Sequence, residues 1–236
     1  MSANMAVIQI MSSNSIISNI NSTTFLGLTV DSTLSWKDHI AKLTIKLNKA
    51  CYAIRTIKPF MTFNILKSVY FSYFHSVMSY GIIFWGDSHL STIVFKLQKR
   101  IIRIITNKGK SYSCRQLFKT LQILTVPSQY ILSLLIFVNK NRGLFLTNSE
   151  IHDKNTRNNY NFHLPSTNLT LVQKGVYYSG SRVFNYLPIN IKILSHDFKR
   201  FKSVLKSFLM EHTFYSLEEF YQFTTNWPWF FLFPVF

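Results

Sequence analysis

The sequence predicts a mainly α-helical protein with a small antiparallel β-hairpin near its start, followed by a helical bundle and a second helical region. After residue 35, apolar residues recur at helical spacing, and prolines or glycines interrupt the pattern. Before residue 35, the apolar runs are short and lie among Ser, Asn and Gly, which is typical of strands joined by turns. Hydrophobic residues make up 47% of the 236 residues, enough for a sizeable core.

These patterns divide the chain into five segments. We predict a β element at 1–34, a helical domain at 35–146, a linker at 147–168 and a second helical region at 169–223. The linker is predicted from its polar, Asn-rich composition. The hydrophobic tail at 224–236 contains two prolines, which exclude a regular helix or strand, and we interpret it as an end unrelated to the remainder.

The β element contains one clear strand and one weaker hairpin. The strand is predicted at 25–30, where Gly27 indicates a bulge or the close approach of another backbone. The hairpin is predicted from the apolar residues at 7–10 and 16–17, which flank a turn rich in Ser and Asn.

The first helix is predicted at 36–57. Ser35 and Asp38 have the spacing of a capping box at its start, and Pro59 ends it. Its apolar residues share one face, and five cations lie largely off that face. The apolar positions are Ile40, Leu43, Leu47, Ala50, Cys51 and Ile54.

The same periodicity predicts the remaining helices. The helix at 91–106 buries an apolar face that includes Ile93, Leu97, Ile101 and Ile104. The last helix begins at Ser216, which is suited to cap it. The other predicted ranges are 62–80, 113–121, 127–145, 169–187 with gaps at Gly175 and Gly180, and 197–212.

The stretch 68–86 has two interpretations. It carries no charge apart from His75 when protonated, and it is about long enough to span a bilayer. Its serines, tyrosines and histidine are costly inside a membrane. Apolar and aromatic residues repeat at helical spacing between Val69 and Met78, so a buried core helix is favoured over a membrane anchor.

Positive charge is concentrated in the predicted helical domain. Lys and Arg outnumber Asp and Glu 26 to 9, giving a net charge of +17. Between Lys37 and Lys119 there are fifteen Lys or Arg residues against Asp38 and Asp87 alone. Nucleic acid is therefore the first expected partner and an acidic membrane surface the second, with solvated helix faces as the plain alternative. The predicted nucleic-acid-binding residues are Lys96, Lys99, Arg100 and Arg103 at i, i+3, i+4 and i+7, followed by Lys108 and Lys110 in a loop.

The two cysteines, Cys51 and Cys114, do not form a disulfide framework or a metal-binding motif. The first ten residues lack the pattern of a secretory signal. We therefore expect an intracellular protein, in the cytoplasm or the nucleus.

Several short motifs follow one another in an order that is typical of a known family. They are Phe-Leu-Gly at 25–27, Leu-Ser-Trp-Lys-Asp-His-Ile at 34–40, Ser-Tyr-Gly at 79–81, Trp-Gly at 85–86, and Leu-Gln-Lys-Arg at 97–100 with Arg103. In this order and spacing, the chain resembles the region just past the catalytic palm in reverse transcriptases of non-LTR, LINE-like retrotransposons of the jockey type. The resemblance is clearest before residue 103 and weaker from there to about Tyr221.

The resemblance implies a role in holding nucleic acid. Phe25, Leu26 and Gly27 would correspond to the primer grip, a hairpin at the palm edge. The following helices would correspond to the thumb, which clamps the template–primer duplex, and to the region after it. The implied partners are RNA, DNA or an RNA–DNA hybrid, and the intact family enzyme would use magnesium.

The sequence departs from that family in its acidic residues. The family's Asp-Asp turn is missing from the nine acids, and no catalytic or metal-binding residue is predicted here. Glu218 and Glu219 are adjacent but fit a helix start better. His39 is interpreted as a packing or capping residue. We expect a catalytically incomplete fragment that needs no cofactor of its own. A membrane-associated or structural helical protein, and the product of a decayed gene without function, remain alternatives.

Overall fold

The computed structural model describes residues 10–12, 15–17, 20–151 and 161–225. As predicted, the protein is mainly α-helical with small antiparallel β pairs before the helices. Strand β1 pairs with β2, and β3 pairs with β4 with Thr23 opposite Val30. Residues 7–9 of the predicted first hairpin lie outside the described residues. The strands are β1 (Ile10–Ser12), β2 (Ser15–Ile17), β3 (Ser22–Phe25) and β4 (Leu28–Asp31).

The predicted single strand at 25–30 is wrong, because the chain reverses direction inside it. Leu26 and Gly27 form the two-residue turn between β3 and β4, with φ angles of 46° and 79°. A two-residue hairpin turn of this kind needs positive φ at both positions, and glycine adopts it without steric cost. Gly27 therefore marks a turn and not a bulge.

Helix α1 (Lys37–Ile57) has the predicted length but a different start. The expected capping box is wrong. Trp36 occupies the cap position with φ 62°, and no side chain caps the helix. The carboxylate of Asp31 instead holds the loop before α1, accepting hydrogen bonds from the main-chain N–H groups of Ser35 and Trp36, both at 2.9 Å.

The remaining helices follow in chain order, most within a few residues of their predicted bounds. The predicted helix at 127–145 begins one residue earlier and ends at Lys140, and the predicted gap at Gly180 is wrong because a helix runs through it. The helices are α2 (Phe63–Val69), α3 (Ser76–Ser79), α4 (Ile82–Trp85), α5 (Ser91–Ile105), α6 (Arg115–Leu121), α7 (Val126–Lys140), α8 (Asn148–Ile151), α9 (Thr170–Gln173), α10 (Val176–Asn185), α11 (Ile189–Lys192), α12 (Phe198–His212) and α13 (Leu217–Thr225).

A π-helical segment (Tyr70–His75) joins α2 to α3. Its wide turn is closed by the hydrogen bond from the N–H of Ser76 to the carbonyl of Phe71. Tyr70, Phe74 and Met78 are fully buried along this stretch, in agreement with the prediction of a core helix. Within the described part of the chain, no single helix is long and apolar enough to cross a membrane. Only α6 and α7 taken together, bent by 52°, have the length and composition.

Helices α1 and α5 pack side by side and run parallel. Three contacts pair them in the same order along the chain. The Ser88 hydroxyl donates to the Ser35 carbonyl at 3.3 Å, Arg100 donates to Asn48 at 3.3 Å, and the Lys58 amine donates to Asn107 at 2.7 Å. The same ends of both helices therefore lie together.

The buried face of α5 differs in part from the predicted one. Ile93 is exposed, whereas Gln98 is fully buried. The Gln98 amide donates to the Tyr70 hydroxyl and to the Leu124 carbonyl, and its oxygen accepts from the Val126 N–H at 2.9 Å. Gln98 is buried at low cost because all three of these bonds are made.

Helix α7 is the centre of the core. It packs against α4, α5, α10 and α12, so helices from the predicted second region contact the predicted first domain directly. The predicted linker also contributes to the core, in the part of it that the structure describes. Phe162 is buried between Phe145 and Phe184, at ring-centroid distances of 5.4 and 4.5 Å. Residues 152–160 of the linker and 226–236 of the tail lie outside the described residues.

Candidate nucleic-acid interface

The predicted cations of α5 share one side of the helix, and we call them, with Lys108 and Lys110, the α5 basic face. Lys96 and Arg100 are exposed, whereas Lys99 and Arg103 are half-buried. Arg100 marks the edge of this face towards α1 through its contact with Asn48. The apolar residues of α5 that point into the core leave these cations facing outward.

The half-buried cations of this face have partners within the protein. The Lys99 amine lies 4.7 Å from the centre of the Phe95 ring, and Arg103 donates to the Tyr112 carbonyl at 2.8 Å. In the following loop, Lys108 lies 4.9 Å from the Tyr112 ring centre. Cation–π and carbonyl contacts orient these side chains without cancelling their charge.

Acidic partners are scarce around this face. Across the described residues the only ion pair within 4 Å joins Arg115 to Glu219, at 2.6 Å. The charge of the α5 basic face is therefore not balanced by neighbouring carboxylates in the described part of the structure. Such a surface attracts a polyanion.

The residues predicted to resemble a primer grip form the tip of the β3–β4 hairpin. Phe25 and Leu26 are exposed to 67% and 72%, and Gly27 completes the turn. The Tyr80 hydroxyl donates a hydrogen bond to the Leu26 carbonyl. Gly81 faces the Leu28 side chain so closely that a Cβ there would lie 2.6 Å from a methyl carbon of Leu28.

Four of the motifs that carry the family resemblance come together in space. Besides the contact between Tyr80 and Leu26, the His39 ring lies 6.2 Å from the Trp85 ring between centroids. The Trp85 indole donates to the Tyr80 carbonyl at 3.1 Å. Stretches that are far apart in sequence therefore form one structural unit around the hairpin.

Sequence reasoning missed a groove between this hairpin and α1, which we call the hairpin groove. It has a volume of about 690 Å³ and is lined by Lys42, Lys46 and Lys49 along α1 and by Tyr80 and the hairpin opposite. The Lys42 amine donates to the Thr29 hydroxyl at 3.0 Å. The spacing i, i+4, i+7 shows from the sequence that these lysines share one side of α1. It does not show the groove, because the opposite wall is formed by the hairpin.

His39 lies at the inner edge of this groove and is buried, as its interpretation as a packing residue requires. Its Nδ1 accepts from the Thr29 N–H at 3.4 Å, so the neutral ring carries its proton on Nε2. Burial lowers the pKa of His39, and the charges of Lys46 and Lys42 lower it further. The ring therefore ties β4 to α1 in its neutral form.

Among the described residues, no group of three or more His, Cys, Asp or Glu side chains is placed to hold a metal ion. Glu219, half of the adjacent acidic pair, accepts hydrogen bonds from Arg115 at 2.6 Å and from the Tyr215 N–H at 2.7 Å. That carboxylate connects α6 to the start of α13.

Comparison of the chain with known protein families, curated proteins and solved structures found no match.

Proposed function

We propose that this chain is a nucleic-acid-binding module that corresponds to the primer grip, thumb and post-thumb region of a LINE-type reverse transcriptase. Its role is to hold a template–primer duplex of RNA and DNA, through phosphate contacts that do not depend on sequence. The proposal assigns no catalytic role to any residue of the chain.

The α5 basic face is the observation that carries this proposal. Its cations lie along one helix and the loop after it, and no carboxylate in the described structure pairs with them. Phosphate groups along a duplex are spaced regularly, so a row of outward cations is suited to contact several of them. Contacts to phosphate carry no direct sequence information.

The hairpin groove supports the same proposal from the other flank of α1. Lys42, Lys46 and Lys49 face the hairpin on one flank, whereas Asn48 contacts Arg100 on the opposite flank. Two basic surfaces thus border the solvent-facing side of α1. The exposed hairpin tip borders the groove, and the family resemblance implies that an end of a primer strand lies there.

The decisive experiment measures affinity for an RNA–DNA hybrid across a salt series. We compare the wild type with the double variant Lys96→Ala/Arg100→Ala, which removes two exposed cations without disturbing the core. The slope of log affinity against log salt should become shallower by about 0.9 for each phosphate that the variant no longer neutralises. The affinity should fall by the same factor for hybrids of unrelated sequence.

The matched control is Lys199→Ala/Lys202→Ala, which removes two exposed charges from α12. It has the same net charge as the first variant, so a general charge effect would weaken both equally. Equal affinities and equal slopes for wild type and Lys96→Ala/Arg100→Ala would mean that the α5 basic face is only a solvated surface, and would overturn the proposal.

A further inference from the structure

A second cavity lies where the loop before α1 meets α4, the segment between α4 and α5, and helices α9 and α10. We call it the aromatic pocket. Its volume is about 440 Å³, within the range of small-molecule sites. Trp36 and Phe84 form one wall, with ring planes 30° apart, and the rim includes Leu34 and Leu171. Aromatic and apolar walls of this size accommodate a flat ring.

The loop that presents Trp36 is strained and firmly held. Leu34 and Trp36 adopt φ angles of 50° and 62°, a left-handed conformation that bulky side chains rarely take. The Asp31 carboxylate accepts four hydrogen bonds from this loop, and Ser88 donates to the Ser35 carbonyl. Backbone strain of this kind tends to cluster at functional sites.

One end of the aromatic pocket is polar. Asp87 and Lys174 line it together with Ser88 and His89. No hydrogen bond to the Asp87 carboxylate is found among the described residues, although Asp87 is only half-exposed. Burial raises the pKa of Asp87; Lys174 and Arg182 act to lower it, and Glu218 acts to raise it. Asp87 therefore offers a hydrogen-bond acceptor at the polar end of the aromatic pocket.

We propose that the aromatic pocket binds one unpaired nucleobase that carries an exocyclic amino group. The base stacks against the wall formed by Trp36 and Phe84, and its amino group donates to the Asp87 carboxylate. Aromatic side chains are the usual platform for unpaired bases, and an aspartate is a suitable acceptor for the amino group of cytosine. This inference rests on the proposed function, because it needs a nucleic-acid strand to deliver the base.

The position of the pocket relative to α5 fits this role. Ser88 and His89 lie directly before α5, and Lys96 is the cation of the α5 basic face nearest to that end of the helix. A strand whose phosphates follow the α5 basic face towards the start of the helix would approach the end at which the pocket lies. The net charge of +17 favours a polyanionic strand over a neutral or basic peptide as the molecule that supplies the flat ring.

The test compares single-stranded oligo(dC) with oligo(dT), because cytosine has an amino group where thymine has a carbonyl. The wild type should bind oligo(dC) at least about fivefold more tightly. Phe84→Ala should weaken binding to oligo(dC) about tenfold, because the base no longer has a ring to stack on. Asp87→Asn should remove the preference for oligo(dC), because an amide both donates and accepts.

Two further variants serve as controls, so that an effect on binding is not confused with a loss of folding. Leu171→Ala changes only the exposed rim and should weaken binding of both oligonucleotides slightly, whereas Phe60→Ala, which removes an exposed ring remote from the pocket, should change neither. The inference is overturned if Phe84→Ala and Asp87→Asn retain wild-type affinity for both oligonucleotides. Binding of the RNA–DNA hybrid distinguishes failure of this inference from failure of the proposed function. If the protein binds the hybrid but the pocket variants have no effect, the proposed function stands and the inference about the pocket fails. If the protein binds neither the single strands nor the hybrid, the inference and the proposed function both fail.

Discussion

The phenolic hydroxyl of Tyr80 donates a hydrogen bond to the main-chain carbonyl of Leu26, 54 positions earlier in the chain. It joins the tip of the β3–β4 hairpin to the end of α3. Gly81 follows directly and leaves room for the Leu28 side chain. A tyrosine and a glycine thus position the hairpin that forms one wall of the hairpin groove.

Replacing Tyr80 by phenylalanine should loosen this hairpin. The variant loses one hydrogen bond at a partly exposed site, so we expect the free energy of unfolding to fall by about 0.5–1 kcal/mol. Urea denaturation measures this change. Tyr52→Phe is the matched control, because that ring is 72% exposed and its removal of a hydroxyl should change stability little. An equal loss in both variants would show that the bond to Leu26 does not hold the hairpin.

Replacing Gln98 by leucine should destabilise the core strongly. The change leaves the Tyr70 hydroxyl, the Leu124 carbonyl and the Val126 N–H without their buried partner. We expect a loss of about 3 kcal/mol or more, because each buried unpaired group carries a desolvation penalty. Gln116→Leu on the exposed side of α6 is the control and should stay within about 0.5 kcal/mol of wild type. A neutral Gln98→Leu variant would contradict the network.

Replacing Asp31 by asparagine should make the free energy of unfolding less dependent on pH between about pH 4 and pH 2. Burial alone would raise the pKa of Asp31, but hydrogen bonds from Thr33, Ser35 and Trp36 outweigh it and lower the pKa from 3.8 to about 2. Because the folded-state pKa lies below the unfolded value, the stabilisation is present above about pH 4 and is lost as the pH falls towards 2.

The measurement for Asp31 is the free energy of unfolding against pH. We expect Asp31→Asn to be less stable than wild type by about 1 kcal/mol at pH 7, with the difference shrinking between pH 4 and pH 2. Asp38→Asn, an exposed acid on α1, serves as the control for a change of net charge. A difference for Asp31→Asn that stays constant down to pH 2 would rule out the carboxylate as the cause.

The purified chain should extend no primer with magnesium or manganese. Polymerase chemistry of the two-metal kind needs carboxylates that share the ions, and the one adjacent acidic pair is committed elsewhere because Glu219 binds Arg115. A primer-extension assay tests this, with an active reverse transcriptase as the positive control for the template. Template-dependent incorporation that survives Glu218→Gln/Glu219→Gln would reveal a site formed by other residues.

The helices could be predicted from the sequence because their apolar residues repeat at a fixed spacing. The whole of α1 follows from that repeat, as do its buried residues Leu43, Leu47 and Ile54. Gln98 could not be predicted as a core residue, because its burial depends on three partners brought together by the tertiary fold. The hairpin turn at Leu26 was hidden because a bulky residue with positive φ has no local sequence signature.

The candidate sites were predictable only in part, for a similar reason. The α5 basic face is local to one helix, so spacing alone placed Lys96 and Arg100 together. The hairpin groove and the aromatic pocket are each built from elements far apart in the chain. Lys42 and Lys174 carry no mark in the sequence that shows which cavity they border.

The π-helical segment determines the direction in which the residues between it and α4 point around the helix axis. Leu66, Tyr70, Phe74 and Met78 are buried four residues apart, and such a repeat drifts around a regular α-helix by roughly 40° per step. The wider π turn rotates less per residue and returns the row to the core. If the same residues formed a regular α-helix without the π turn, Tyr80 and Gly81 would be turned away from the hairpin by about 100°. The π turn, which contains one residue more than an α-helical turn, therefore places Tyr80 where it can bind the hairpin.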